Sequence, residues 1–348
     1  GIPMNDVMEK ILPQVRSDGY NVTMKYHMLA DDFALRHFLS FGQKETFRVD
    51  YIPFGSNEVI QKQISAISGN KLEGRMAQRH SNTGKLKKYK LGSLEKGISL
   101  FSMNTFDFGL NKKGRQKYKG FLRENFHELE ENDDVQCIIL DLRQNDGGFV
   151  GNDAQLFAYF AQSPFRNFRS AQSTTMKIPV KEHLARNQFP KMLEKIFAKE
   201  FEASGSGRFS MIDEKNRRWN PKRTAFDGQV YALISGWTHS GGVVLCSYLL
   251  NNNNVTFIGE ETGGGHATFT AGNMVLYNLP NTGCQLEVPL IQYENYRGEK
   301  AFPKGHGIQP RHKVTQSQKD LVANVDTVME FALQLARKST IRETPPGK

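Results

Sequence analysis

The chain has 348 residues, a net charge of +10, 38% hydrophobic residues and 24% charged residues. This composition is typical of an ordinary globular protein, with a length that fits about two domains. No stretch approaches the roughly 18 consecutive apolar residues of a membrane-spanning helix, so no transmembrane segment is expected. The three cysteines are too few and too scattered for a disulfide framework or a zinc site, and we expect no metal or other cofactor.

The first part of the chain, residues 1–95, is predicted to be a smaller and mainly helical region. "NDVMEKILPQVRSD" predicts a helix that begins at Asn5 or Asp6, and "DDFALRHFLSFG" predicts a second, short helix that ends at Gly42. "ETFRVDYI" alternates like a strand. Residues 68–95 are polar and contain several glycines, so we interpret them as a loop or hairpin that ends this region.

Residues 96–348 show strands alternating with helices. Strands are predicted at "GISLFSMNTF", "VQCIILDLR", "GQVYALIS", "VTFIG", "MVLYNLP" and "QLEVPLIQY". Helices are predicted at "RQKYKGFLRENFHELEEN", "NDAQLFAYFAQ", "VKEHLARNQFPKMLEKIFAKEFEAS", the segment after Ser240 and "QKDLVANVDTVMEFALQLARK". The alternation predicts an α/β fold, a layered domain with a largely parallel sheet.

The positive charge is concentrated in three short runs, at residues 85–90, 112–119 and 217–223. Three aromatic residues stand among them: Tyr89, Tyr118 and Trp219. Basic patches with aromatic residues can bind nucleic acid, but no signature of a nucleic-acid-binding fold accompanies these runs. We interpret them as solvated faces and expect no nucleic-acid partner.

Ser240 stands where a predicted buried strand gives way to a helix, in "ISGWTHSGGVVLCSYLL". A serine at such a junction is most often a helix cap, although Thr238 could also serve as the cap. The alternative is a nucleophile, because Gly241 and Gly242 leave the N–H groups of the helix N-terminus open to an oxyanion. The segment is not the nucleophile elbow of α/β-hydrolases, which requires glycine at position 238.

Two further glycine turns follow other predicted strands. "DLRQNDGG" ends at Gly148, and "GEETGGG" ends at Gly265. Because the carboxyl ends of parallel strands meet at one edge of a sheet, these turns and Ser240 are expected to share a site. Within the first turn, Asp141 and Arg143 are expected to be structural, and Asn145 to shape the turn.

The ordered set "IILDLRQNDGG", "THSGG", "FIGEETGGG", "LPNT" and "GHGIQP" resembles the tail-specific, or C-terminal processing, serine peptidases and their tricorn-core relatives. The resemblance covers residues 96 to about 335 and extends weakly into the helical front. It implies a layered core like that of the ClpP and crotonase group. It also implies a polypeptide substrate, hydrolysis without metal, and a periplasmic or cell-envelope location.

The resemblance implies Ser240 as the nucleophile, with an oxyanion hole formed by the N–H groups of Gly241 and of Gly147 or Gly148. Cleavage of extended or unstructured polypeptides would then proceed through an acyl-enzyme on the serine. Many of these peptidases use a lysine base in the third glycine loop, where this sequence has Gly265. The Ser–Lys arrangement is therefore not expected.

The general base is the component that the sequence leaves open. His239 is adjacent to Ser240, and adjacent side chains of a helix diverge. His266 could approach the site from the third glycine loop, and Glu299 is a candidate for its supporting carboxylate. The upstream Asp-x-His pattern of the tricorn-like relatives is not found in residues 1–95, so we expect that the sequence starts after it.

Two other functions remain open at this stage. A degenerate binding protein of the same fold would hold a peptide or a small ligand in an inactive cleft, since a fold does not determine a function. A crotonase-like acyl-CoA enzyme would use the same oxyanion geometry on a thioester, although no segment is typical of an adenine-nucleotide pocket. The joint presence of Ser240 and both glycine turns favours the serine endopeptidase.

Overall fold

The computed structural model describes residues 1–79, 86–109, 112–132, 134–186, 188–271, 273–296 and 303–342. The helices are α1 Met4–Ile11, α2 Thr23–Phe41, α3 Gly69–Arg79, α4 Lys112–Glu131, α5 Asn152–Phe157, α6 Pro190–Glu200, α7 Gly241–Leu249, α8 Gln318–Val322 and α9 Thr327–Arg342. Short 3₁₀ turns lie at Leu12–Gln14, Lys181–His183 and Asp213–Lys215. The strands are β1 Thr46–Tyr51, β2 Ile60–Ser65, β3 Tyr89–Glu95, β4 Ile98–Met103, β5 Cys137–Asp141, β6 Phe165–Arg166, β7 Phe168–Ser173, β8 Phe201–Gly205, β9 Arg208–Met211, β10 Arg218–Trp219, β11 Gln229–Ile234, β12 Val255–Gly259, β13 Thr268–Thr270, β14 Met274–Asn278, β15 Gln285–Pro289, β16 Gln292–Asn295 and β17 His312–Lys313.

A six-stranded sheet in the order β17-β12-β11-β5-β4-β3 forms the centre of the molecule. Its neighbouring strands are parallel, except that β3 and β4 form an antiparallel hairpin. Ala232 of β11 lies opposite Leu140 of β5 and Phe257 of β12. The continuous apolar runs of β5 and β11 are buried, as expected for parallel strands that are covered on both faces. The predicted α/β fold with a largely parallel sheet is confirmed.

Two helical layers cover this sheet, and alternate residues of β5 point into them. Ile138 and Leu140 pack with buried side chains of α4, α5 and α7. Cys137 and Ile139 pack with α9 on the other face. All three cysteines are free, and burial raises the pKa of Cys137 to about 12, which keeps its thiol protonated and inert.

A second, antiparallel sheet in the order β13-β16-β7-β9-β8 packs with α6 and the β14–β15 hairpin around its own core. The predicted long helix over residues 180–204 is wrong here. Pro190 instead begins α6, where its missing N–H costs nothing, and residues from Phe201 onward form β8. The pairing of β8 with β9 overrides the helical pattern.

Two further predictions require correction. Residues 69–79 form α3, whereas a loop or hairpin was expected for residues 68–95; the hairpin is present only at β3 and β4. The single C-terminal helix is divided into α8 and α9, because Asn324 adopts a left-handed conformation with φ of 56°. Asparagine tolerates this conformation better than most residues do.

The N-terminal region contains α1 and α2, which pack around a small core that includes Ile11 and Leu29. After α2, which ends at Phe41 and is capped by Gly42 as predicted, β1 and β2 form a separate two-stranded ribbon. Strand β3 lies before the predicted boundary at residue 95 and is the outer strand of the central sheet. Among the helices in the described ranges, none is both long and apolar enough to span a membrane.

Candidate active site

Ser240 lies in the turn between β11 and α7, at the carboxyl edge of the central sheet. Its φ of 50° and ψ of −122° are unusual for a residue with a side chain, and such strain costs about 1–3 kcal/mol. Ser240 occupies the N-cap position, but its side chain makes no capping hydrogen bond. The hydroxyl of Thr238 instead accepts from the Ser235 N–H (3.0 Å) and donates to the Leu142 carbonyl (2.9 Å). The serine hydroxyl is therefore not used to cap the helix.

Gly147 and Gly148 form a turn that presses against Ser240. Gly147 has φ of 95°, and a Cβ placed on it would lie 2.6 Å from the Ser240 Cβ and 2.9 Å from its Oγ. Gly148 has φ of 141°, and a Cβ there would lie 2.2 Å from the carbonyl carbon of Phe106. Both positions require glycine, because conformation and space each exclude a side chain.

Two backbone N–H groups beside Ser240 have no acceptor among the hydrogen bonds of the described residues: those of Gly148 and Gly241. A Cβ placed on Gly241 would lie 3.5 Å from the Gly148 nitrogen, so the two peptide groups are close neighbours. The Gly147 N–H, by contrast, donates to Asn145 Oδ1 (3.0 Å). Of the two glycines predicted for this turn, Gly148 has the N–H that is available to an oxyanion.

Asn145 connects the glycine turn with the serine turn. Its side chain is fully buried, and its Nδ2 donates to the Met103 carbonyl at the end of β4 (2.9 Å). Its own carbonyl accepts from the His239 N–H (2.9 Å), and a Cβ placed on Gly242 would lie 2.9 Å from its Oδ1. Asn145 therefore shapes its turn, as predicted, and also fixes the distance to the nucleophile turn.

Arg143 ties the same turn to the C-terminal part of the chain. Its guanidinium makes a bidentate ion pair with Asp141 and donates to Asp326 (2.8 Å), just before α9. Partial burial acts to raise the pKa of Asp326, but the hydrogen bond and charge of Arg143 outweigh it and the pKa is lowered. Asp141 and Arg143 thus have the structural contacts that were predicted for them.

The third glycine loop also meets the serine turn. A Cβ placed on Gly264 would lie 3.3 Å from the Ser240 nitrogen. Two residues later, His266 donates its N–H to the His306 carbonyl (3.1 Å), and its carbonyl accepts from Asn295 Nδ2 (2.6 Å). The side chain of His266 is fully buried. The predicted partner Glu299 lies outside the described residues.

Residues of the N-terminal region hold the third glycine loop in place. Asn21 Nδ2 donates to the Thr262 carbonyl (2.8 Å), and the Thr23 hydroxyl donates to the Glu261 carbonyl (2.8 Å). His27 Nε2 lies 2.8 Å from a carboxylate oxygen of Glu260. These contacts could not be predicted from sequence, because the partners are more than 230 positions apart.

Asp18 is a further site residue that the sequence did not indicate. Its Oδ2 accepts from the Gly265 N–H (3.0 Å) and lies 3.7 Å from His239 Nε2. The interaction with His239 is the main reason why the pKa of Asp18 is lowered. His239 therefore directs its ring toward Asp18, at the rim of the site. Within the described ranges, no group of three or more His, Cys, Asp or Glu side chains could hold a metal ion.

Comparisons with known proteins identify a family and a fold. The sequence model of peptidase family S41 matches residues 98–314. The crystal structure of mature CPAF superposes with a TM-score of 0.60 at 12% identity, covering 99% of this chain and 76% of that chain. Mature CPAF complexed with lactacystin gives 0.56 at 12% identity, covering 97% and 76%. The photosystem II D1 C-terminal processing protease gives 0.39 at 13% identity, covering 80% and 59%. No curated protein matches the chain.

Proposed function

Because the chain belongs to peptidase family S41, we propose that it is a serine endopeptidase that cleaves extended or unstructured polypeptides through an acyl-enzyme on Ser240. One observation carries the proposal. Ser240 is held in a strained conformation, its hydroxyl does not cap the helix, and beside it lie two N–H groups that have no acceptor in the described part of the chain. Strain of this kind persists where a side chain must be aimed at a reacting group.

The chemistry follows from this placement. The Ser240 Oγ attacks the carbonyl carbon of the scissile peptide bond, and its proton passes to a general base. The carbonyl oxygen becomes an oxyanion that accepts hydrogen bonds from the N–H groups of Gly241 and Gly148. The base returns the proton to the leaving amine as the C–N bond breaks. Water, deprotonated by the same base, then hydrolyses the ester on Ser240 and restores the hydroxyl.

We assign the base to His266, with Glu299 as its carboxylate. The third glycine loop supports this assignment, because a Cβ placed on Gly264 would lie 3.3 Å from the Ser240 nitrogen, and the backbone of His266 is bonded by His306 and Asn295. His239 is the competing candidate, and its ring is engaged at Asp18. A base needs a partner that orients its ring toward the nucleophile, whereas Asp18 directs the ring of His239 toward the rim of the site.

An extended polypeptide suits the surroundings of the serine. Ser240 is half-buried between two glycine turns, while Gly148, Phe149 and Val150 are exposed beside it. A single extended strand can enter between such turns and present its carbonyl to the serine. The surface of a folded domain would meet the turns before its backbone reached the hydroxyl.

A fluorophosphonate probe tests the proposal, because it labels only serines whose hydroxyl is activated. We expect labelling of the full chain, read by intact mass, and its loss in Ser240→Ala. Ser247→Ala is a matched control, since Ser247 lies on α7 and its buried hydroxyl donates to the Val243 carbonyl away from the turn. His266→Gln is expected to slow labelling at least about 100-fold, the usual contribution of a general base. His239→Gln is expected to change it less than His266→Gln does.

Labelling that survives in Ser240→Ala would refute the assignment of the nucleophile. A chain that is folded, binds an unstructured polypeptide and shows no labelling would instead be the degenerate binding protein. Equal losses in the His266 and His239 variants would contradict the assignment of the base while leaving the nucleophile intact.

A further inference from the structure

The three basic runs of the sequence differ in what their side chains contact. In the third run, the Arg217 guanidinium lies 3.7 Å from the ring centroid of Trp219. Arg223 makes a bidentate ion pair with Glu130 (2.7 and 2.9 Å). Arg218 lies 3.6 Å from Asp213. These charges have structural partners and leave little capacity for an external ligand.

The cations of the first two runs that the structure describes have no ion-pair partner. Eight of their cations are exposed, and none of them forms an ion pair within the described part of the chain. We call this set the basic surface: Lys87, Lys88, Lys90, Lys112, Lys113, Arg115, Lys117 and Lys119. The first turn of α4 contains no acidic residue, so its cations add to the positive end of the helix dipole rather than offset it.

Ring contacts bring the two runs together. Tyr89 lies between Lys88 and Lys90 in sequence, and its ring packs against Tyr118 (5.5 Å) and Phe121 (4.4 Å) of α4. Both runs therefore lie on one part of the surface, at the outer strand of the central sheet and the start of the helix that covers it. Like charges held this close create a strong positive potential.

The basic surface reaches the candidate active site. The Lys88 ammonium donates to the Asp107 carbonyl, and a Cβ placed on Gly148 would lie 2.3 Å from the Asp107 nitrogen. The backbone at Asp107 thus lies between Lys88 and the Gly148 N–H that is available to an oxyanion. Two exposed carboxylates lie nearby in sequence, on Asp107 and Asp146, which is too few to neutralise eight cations.

The structure also favours one class of polyanion over another as the ligand of the basic surface. The aromatic residues within the basic runs belong to the interior: Tyr118 is fully buried, Trp219 is buried and Tyr89 is half-buried against α4. Proteins that bind single-stranded nucleic acid present such rings to solvent. A basic surface without stacking rings, next to a peptidase site, fits an anion that is itself a polypeptide.

We propose that the basic surface binds acidic segments of the substrate and delivers them to Ser240, so that the preferred substrates are unstructured polypeptides rich in Asp and Glu. This inference rests on the proposed function for the cleavage step, whereas binding can be measured without it. Electrostatic attraction of this kind acts mainly on the rate of association and weakens with salt.

The binding test uses the full chain with Ser240→Ala and two fluorescein-labelled 20-residue peptides, one rich in Asp and Glu and one of Gly and Ser. From fluorescence anisotropy we expect the acidic peptide to bind at least about tenfold more tightly, with the difference shrinking as NaCl rises from 50 to 300 mM. The triple variant Lys87→Glu, Lys113→Glu, Lys117→Glu should abolish the difference. The matched control Lys191→Glu, Lys195→Glu, Lys199→Glu makes the same change in net charge on α6 and should preserve it.

The cleavage test compares two unstructured substrates that share one cleavable sequence and differ only in an acidic or a neutral tail. We expect kcat/KM to be at least about tenfold higher for the substrate with the acidic tail. This difference should be absent from variants that lack the basic surface. Equal kcat/KM for both tails, with equal binding, would overturn this inference and leave the peptidase intact. Absence of cleavage of either substrate, with selective binding retained, would overturn the proposed function instead. A single-stranded DNA 20-mer that binds more tightly than the acidic peptide would show that the surface is not made for polypeptides.

Discussion

The carboxyl edge of the central sheet and the ribbon of β1 and β2 differ in how tightly their side chains are packed. At the sheet edge, Asn145 and Thr238 are fully buried and every polar atom named above has a defined partner or a defined role. In the ribbon, all residues of β2 are exposed, and its apolar Ile60 and Ile64 face solvent. Strained geometry such as that of Ser240 survives only where the surroundings determine it from several sides. The comparison indicates that tight packing here serves the precision of the site more than the stability of the whole chain.

The largest effect on catalysis is expected from Gly147→Ala. The new methyl group would occupy the position 2.6 Å from the Ser240 Cβ, so the serine or the turn must move. We expect kcat/KM to fall about 10²- to 10³-fold, as when an oxyanion donor is lost. Gly205→Ala is the matched control, because Gly205 also has positive φ (88°) but faces open space at the β8–β9 turn. It should lose stability only, measured by urea unfolding. Comparable activity of the two variants would contradict a role for the close approach at Gly147.

Asn145→Ala tests the connection between the two turns. Removing the amide leaves the Gly147 N–H and the Met103 carbonyl without their partners, so the free energy of unfolding should fall by about 1–3 kcal/mol. We expect kcat to fall about 10- to 100-fold with little change in KM, since the oxyanion donors are displaced but substrate contacts remain. Asn216→Ala removes a buried amide that bonds the backbone of Phe168 in the second sheet. An equal loss of kcat in that control would attribute the effect to stability alone.

The pH dependence of stability is expected to depend on Asp153, the buried acid at the start of α5. Burial raises the pKa of Asp153 from 3.8 to about 6, despite backbone hydrogen bonds that favour its charged form. Below about pH 4 the carboxyl is protonated in both the folded and unfolded states, so its burial costs nothing. Between pH 4 and 6 the unfolded state ionises first, and stability is lost as pH rises.

Asp153→Asn should therefore be more stable than the unsubstituted chain at pH 7 by about 2–3 kcal/mol, and the difference should disappear near pH 4. The amide retains an acceptor for the Gly151 N–H. Urea unfolding at several pH values measures the difference, with Asp227→Asn as an exposed control. A difference that stays constant from pH 4 to 7 would show that the carboxyl does not titrate between the two states.

The smallest effect on stability is expected from a substitution in the ribbon of β1 and β2. Ile64→Ser places a hydroxyl on an exposed position of β2 and should change the free energy of unfolding by less than about 0.5 kcal/mol. Ile139→Val removes one methylene from the fully buried β5 and should cost about 0.5–1.5 kcal/mol. Catalytic rates should remain the same in both variants. A larger cost for Ile64→Ser would show that the ribbon is covered in solution.

The parts of this molecule that were predictable from sequence are those with a local cause. Buried parallel strands appear as apolar runs, so β5 and β11 were identified, and the glycines beside Ser240 follow those strands directly. The second sheet was not foreseen, because β7, β8 and β9 lack a continuous apolar run and their pairing depends on partners elsewhere in the chain. The contact of Asp18 with Gly265 could not be foreseen for the same reason.

The contacts that hold the third glycine loop also affect the order in which the molecule folds. Asn21 and Thr23 bond to residues that are 241 and 238 positions away along the chain. Closing so long a loop costs entropy before any contact compensates for it, and folding rates fall as contacting residues become more distant in sequence. The sheet and its two turns can form from pairings of shorter range. The last loop beside the serine is then secured late, so the candidate site is among the last parts of the molecule to be completed.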